Sequence, residues 1–261
     1  MQRGSGRLLA LLAVGLLGGC GSSAAPSTPA AAATAVPLSG SLTVLAAASL
    51  TEAFNDAEPT LQAANPGFTA TFSFAGSQQL VTNVINGAPA DVIATADQTT
   101  MQKLVTAGLV GTPVTFTRNR LEIAVAPGNP KGIHTLADLA RSDISVVLAA
   151  PAVPAGNFAK QVLALAGVTV TPKSLELDVK TVLEKVESGD ADAAIVYTTD
   201  VAAAASMVTG VVIPDAQNII ATYPIAVVKA TANAAAAAAF VTEALSGLIQ
   251  KALLKRGFLP P

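Results

Sequence analysis

The sequence predicts a mixed α/β protein of two lobes joined by two crossing segments. Apolar runs of strand length alternate with helical stretches along residues 41–261. Two longer extended runs with alternating polarity, 119–127 and 221–229, lie near the middle and near the end. A chain that leaves one lobe through the first run and returns through the second builds two lobes able to close by hinge motion.

The N-terminus is a processing segment and stands apart from the fold. Arg3 and Arg7 give it positive charge, and Leu8 to Leu17 form an apolar run about half the ~20 residues of a membrane-spanning helix. Leu17-Gly18-Gly19-Cys20 follows, with Cys20 the only cysteine. This resembles the lipobox of bacterial lipoproteins, in which the cysteine is lipidated and becomes the new N-terminus; an ordinary secretory signal with a chance cysteine is the alternative. Residues 1–20 are then a signal peptide, with the mature chain held by lipid on Cys20 at the extracytoplasmic face of the cell membrane. Residues 21–40, dominated by Ala, Pro, Ser and Thr and without charge, read as a flexible tether.

Removing Arg3 and Arg7 takes the 15 basic residues to 13 against 17 acidic ones, a net charge of −4. A mildly acidic chain with 4% aromatics lacks the basic patch and stacking platforms of a nucleic-acid binder. Any attraction for an anion must be local.

In order, strands are expected at 42–46, 69–74, 92–95, 121–126, 145–149, 193–197 and 224–228, all apolar or alternating runs. Helices are expected at 50–64, 77–86, 99–107, 157–166, 179–188, 232–246 and 247–256; the six alanines at 234–239 favour helix strongly. Asn86-Gly87, Ala107-Gly108 and Ser188-Gly189 mark helix ends. Lobe one is expected over 41–120 with 226–261, and lobe two over 121–225.

Four helix starts share one device. Ser49 follows three alanines and precedes Glu52 at capping-box spacing; Ser77 follows Ala75-Gly76; Val153-Pro154-Ala155-Gly156 leads a helical run; Asp178 is a good N-cap with Val179 as first helical residue. A helix start offers free amide N–H groups and the positive end of its dipole. Singly, each reads as a capped helix. Two serines with small approaches add a hydroxyl to the amide.

In chain order, the segments Ala46–Thr51, Phe74–Ser77, Gly87–Val92, Ala96-Asp97, Val153–Gly156, Ile195–Tyr197, Tyr223–Val227 and Arg256–Phe258 resemble the periplasmic molybdate-binding proteins of ABC-type importers. The resemblance covers nearly all of 41–258 and implies the two-lobed periplasmic-binding-protein fold of type II, with a ligand cleft between lobes. It implies that molybdate is held by the hydroxyls and amides of Ser49 and Ser77, the amides of Ala155 and Val179, and the hydroxyl of Tyr197. Gly76 departs from the family, where many relatives carry serine. It further implies an ABC permease as partner, a monomer, no cofactor, and molybdenum bound as an oxyanion without direct metal-cation ligands.

None of those five residues is charged, which suits a dianion without protons; a protonated phosphate would set donor against donor. Hydrogen bonds to a charged group contribute roughly 1.5–3 kcal/mol each. A handful, less the cost of closure, reaches the roughly −8 to −12 kcal/mol of micromolar to nanomolar binding. Sulfate must be rejected by size, while tungstate is nearly as large as molybdate. Glu52 stands one turn from the dianion, so it is expected to fold back onto the Ser49 amide or face solvent. Whether Tyr223 touches ligand or packs the crossing segment is open.

His134, the only histidine, reads as a surface loop residue, and one His with one Cys makes no zinc site. Asp91, Asp97, Asp192 and Asp200 read as strand-end caps and turn residues. Serine-hydrolase and nucleotide-binding motifs are absent, and no nucleophile has a partner base, so the chain is not expected to be an enzyme. The rival readings are a sulfate or thiosulfate receptor, an enzyme on the same scaffold, and a ligand-sensing regulator, against which the export signal counts.

Overall fold

A computed structural model of the chain describes residues 38–261; the signal segment, Cys20 and residues 21–37 of the expected tether lie outside the described residues. The tether stops short of Gly40. Leu38 is buried in the core and Gly40 opens the first strand, because an apolar side chain beside a sheet is stabilised by burial.

The first part of the chain alternates strand and helix: β1 (Gly40–Ala47), α1 (Thr51–Ala64), β2 (Phe68–Ala75), α2 (Ser77–Ile85), β3 (Val92–Ala94) and α3 (Gln98–Thr106). β1 lies between β2 and β3, parallel to both. The long strand β4 (Val114–Val125) follows, then β5 (Val146–Ala149), α4 (Pro154–Leu165), β6 (Ser174–Glu176), α5 (Val179–Glu187), β7 (Ala193–Tyr197) and α6 (Thr198–Ala204). β5 lies between β6 and β7, again parallel to both. β8 (Thr209–Val212), β9 (Ile220–Val227), α7 (Ala234–Ser246) and α8 (Leu248–Lys255) complete the chain.

β4 joins the two parallel sets. Its Val114–Arg120 portion pairs antiparallel with β9, and its Leu121–Val125 portion pairs antiparallel with β7 and β8. The strand order is therefore β2-β1-β3-β9-β4-β7-β5-β6, with β8 also on β4. β9, most of which falls in the run read as a second crossing, pairs along its length with β4 and β3. Its alternating residues fill a sheet position there.

Strands covered on both faces read as continuous apolar runs, and β7 (Ala-Ala-Ile-Val-Tyr) is buried throughout. Phe54 of α1 is fully buried with Phe72, Phe74, Phe116 and Phe240 edge-on around it, at centroid distances of 5.6, 6.5, 6.3 and 6.1 Å. By length and composition, residues 234–255 could cross a membrane. They form instead two helices broken at Gly247, with Ala237, Phe240, Ala244, Ile249 and Leu253 in the core.

α4 begins at Pro154, three residues before the expected start, since proline fits the first helical turn and lacks only an amide the helix would not use there. Strands at 174–176 and 209–212 had no counterpart in the sequence reading.

Candidate functional site

The carboxyl ends of β1, β2, β5 and β7 carry the chain into its helices on one side of the sheet, where open α/β sheets commonly place ligands. There Ser49, Ser77, Ala155, Val179 and Tyr197 line one small void, with Ala47, Ala48, Gly76, Ala96 and Pro154 as the apolar wall. The void admits one compact group and no extended solute. Among the described residues no charged side chain lines it.

Ser49 does not cap a helix. Ala48–Leu50 form a 3₁₀ turn, α1 starts at Thr51, and the Thr51 hydroxyl donates to the Ala48 carbonyl at 2.7 Å. The capping box expected with Glu52 is absent because this turn moves the helix start one residue on, from 50 to Thr51, and makes Leu50 the residue ahead of it. The Ser49 hydroxyl, buried, is free for another partner and lies 3.0 Å from the Tyr223 hydroxyl.

Ser77 is the first residue of α2, with Gly76 ahead of it in extended conformation. Its oxygen accepts the Ala96 amide at 3.0 Å. A Cβ at Gly76 would stand 2.3 Å from the Leu177 carbonyl oxygen, so only glycine allows this approach of the segment leading into α5.

Ala155 is the second residue of α4 and Val179 the first of α5. Amides at these positions have no intrahelical acceptor. Asp178 caps α5 by accepting the Thr181 amide at 2.9 Å, which leaves the Val179 amide unspent. The Tyr197 hydroxyl is fully buried and, among the described residues, has no partner at hydrogen-bond distance; burial, with the Tyr223 hydroxyl nearby, holds its pKa far above the ordinary tyrosine value. It remains a proton donor under all physiological conditions. Buried polar atoms are normally paired, so an orphaned hydroxyl facing a void marks a place for a guest.

Residues 42–259 match the family of bacterial extracellular solute-binding proteins. The chain belongs to that family. The molybdate-binding protein ModA of Mycobacterium tuberculosis is 40% identical over 260 residues, covering 98% of this chain and 97% of the relative. The periplasmic molybdate-binding protein of Azotobacter vinelandii shares the fold, with a TM-score of 0.75 at 20% identity over 84% of this chain and 99% of that one. So does the sulfate-binding protein SubI of M. tuberculosis, with a TM-score of 0.76 at 23% identity over 85% and 87%.

In this solute-binding protein Glu52 neither folds back onto Ser49 nor faces solvent alone. Its carboxylate meets the Lys180 ammonium at 2.8 Å, and the same ammonium lies 3.2 Å from Asp200. Asp200 is fully buried and also accepts the Tyr197 amide at 3.1 Å. Burial pushes the Asp200 carboxyl upward; burial opposes the Lys180 charge, yet Asp200 and Glu52 outweigh it and hold the lysine above its usual range. Sequence reasoning passed over Lys180. Its signal was a lone cation directly after Val179, matched by an acid three residues after Ser49.

The remaining acids do structural work. Asp97 caps α3 through the Thr100 amide at 2.7 Å, Asp91 accepts the Thr43 amide at 2.7 Å, and Asp192 accepts the Ser145 amide at 2.8 Å. His134 is exposed. Among the described residues no group of three or more His, Cys, Asp or Glu gathers to hold a metal ion.

Proposed function

We propose that the chain captures molybdate, and tungstate with it, outside the cytoplasm and delivers it to an ABC permease without a cofactor. One observation carries the reading: two buried serine hydroxyls, an orphaned tyrosine hydroxyl and two helix-start amides surround a compact void that no charged side chain among the described residues lines. Such a ring supplies donors and helix-dipole charge to a dianion that can return only acceptors. The 40% identity to a molybdate-binding protein along nearly the whole chain supports molybdate as that dianion.

Ser49, Ser77, Ala155, Val179 and Tyr197 are the proposed ligands. Ser49 and Ser77 come from the part of the chain before β4, and the other three from the part after it. Lobes over 41–120 with 226–261 and over 121–225 would then meet on the anion by closing about β4. Lipid on Cys20 would hold a monomer at the membrane near the permease.

The test is calorimetric. Ser49→Ala with Ser77→Ala is expected to abolish molybdate binding while leaving the melting temperature within a few degrees of wild type. Unchanged affinity in the double variant rules out this pocket. Sulfate has the same charge and shape, and competition with sulfate in large excess measures how far size alone separates the two.

A further inference from the structure

We infer that Tyr223 is a positioning residue that fixes the direction of the Ser49 hydroxyl, so that the cleft presents protons only and admits only oxyanions that have lost all of theirs. The inference rests on the molybdate reading above and adds to it what turns the Ser49 proton toward the anion.

A serine hydroxyl can donate one proton and accept two, so a serine beside an anion is not a donor by necessity. Its neighbours decide. At Ser77 the decision is made by the backbone: the Ala96 amide donates to the Ser77 oxygen at 3.0 Å, and an amide can only donate. The Ser77 proton must therefore point elsewhere, and the void is beside it.

At Ser49 the corresponding partner is the Tyr223 hydroxyl at 3.0 Å, which could in principle run either way. Three facts set its sense. Tyr223 is fully buried, and burial raises its pKa, so its proton is always present. Of its other polar neighbours, Asn119 has its carbonyl oxygen taken up by the Arg120 amide at 2.9 Å and the Thr198 hydroxyl at 3.1 Å, and Tyr197 is a second buried phenol that keeps its own proton. The ring is fixed edge-on between Tyr197 and Phe258, with centroids at 5.8 and 5.7 Å. A Tyr223 proton directed at Ser49 has an acceptor, and the Ser49 proton is then released toward the void. The reverse sense would leave the Tyr223 proton only the oxygen of the neighbouring Tyr197 phenol and turn a serine lone pair on the anion.

Both serines are thus polarised alike, one by a backbone amide and one by a side chain 174 residues away. With the Tyr197 hydroxyl and the two helix-start amides, every polar group reaching the void donates. Phosphate, which keeps at least one proton across the neutral range, would face it with a donor against a donor.

Tyr223→Phe keeps the ring packing and removes only the hydroxyl. Calorimetry with molybdate, alongside competition by inorganic phosphate, is run on wild type, Tyr223→Phe, Ser49→Ala and the double variant. Tyr223→Phe is expected to weaken molybdate about tenfold and to let phosphate compete at least tenfold more effectively. In the Ser49→Ala background it should change neither quantity by more than twofold. A purely structural role would lower the melting temperature and leave the phosphate-to-molybdate ratio in place. Wild type that binds no molybdate overturns the functional reading itself. Wild type that binds it, with an equal Tyr223→Phe effect in both backgrounds or with none, overturns only the role given to Tyr223.

Discussion

Lys180 places its ammonium 2.8 Å from Glu52 on α1 and 3.2 Å from Asp200 on α6, so one cation serves two carboxylates. Glu52 stands three residues from Ser49, and Asp200 accepts the amide of Tyr197. Without the lysine both carboxylates would repel a dianion, and Asp200 would be a buried charge with no counterion. Lys180→Met is expected to weaken molybdate binding at least tenfold and to lower the melting temperature. Adding Glu52→Gln should recover much of the affinity and little of the melting loss, because Asp200 stays uncompensated. Calorimetry and thermal melts of the two variants check this; wild-type affinity in Lys180→Met would show that the carboxylate field does not reach the anion.

Gly76 faces the Leu177 carbonyl across a gap that a Cβ would close to 2.3 Å, and Gln78 donates to the same carbonyl at 2.7 Å. The backbone at Gly76 has φ −58° and ψ 135°, which any residue can adopt. A side chain there therefore costs little to the fold and much to the approach of α5. Gly76→Ser is expected to keep the ligand-free melting temperature and to weaken molybdate binding tenfold or more, even though it adds a hydroxyl. Tighter binding in that variant would mean the two segments part without penalty.

The α/β alternation, the Ser77 and Val179 helix starts and the Asp178 cap were legible because each rests on residues within a few positions of one another. The Ser49 capping box looked equally local and was not formed: Ala48–Leu50 tighten into a 3₁₀ turn that no short pattern of alanines announces. Residues 114–118 of β4 were missed because Thr115, Thr117 and Arg118 read as polar, although pairing with β9 buries Thr117 completely. β8 is short and partly exposed and carries no strong strand signal. Lys180 with Glu52 and Tyr223 with Ser49 join residues 128 and 174 positions apart. Sequence spacing holds no information about such pairs until the sheet order is known.

Arg256 grips Asp56 through two hydrogen bonds of 2.6 and 2.7 Å, tying the end of α8 to α1. The Arg256 hydrogen bond holds the Asp56 carboxyl below its ordinary 3.8. A lowered carboxylate stabilises the fold above the unfolded value, and that contribution disappears as pH falls through the folded one. Asp56→Asn is therefore expected to cost roughly 0.5–1 kcal/mol near neutral pH, the scale of a partly exposed pair. The gap between wild type and variant should close as the pH drops below about 4. Denaturant melts at a series of pH values read both; a gap that widens in acid would assign the wrong sign to the pair.

Gly156, the third residue of α4, lets the helix start sit against the end of β5, where a Cβ would lie 2.2 Å from the Ala150 oxygen and 2.3 Å from the Ala149 oxygen. Both obstacles are backbone and cannot rotate away. Gly156→Ala must push the helix start off the strand, at a cost on the order of 1–3 kcal/mol for overpacking. The Ala155 amide, one residue earlier, moves with it. Ligand that binds only the native state raises the melting temperature with the logarithm of its concentration over its Kd. The variant should thus melt lower without molybdate and also gain less when molybdate is added. A lowered melting temperature with the full ligand-induced rise would mean that the Ala155 amide keeps its place without Gly156, and that the close packing on β5 serves stability alone.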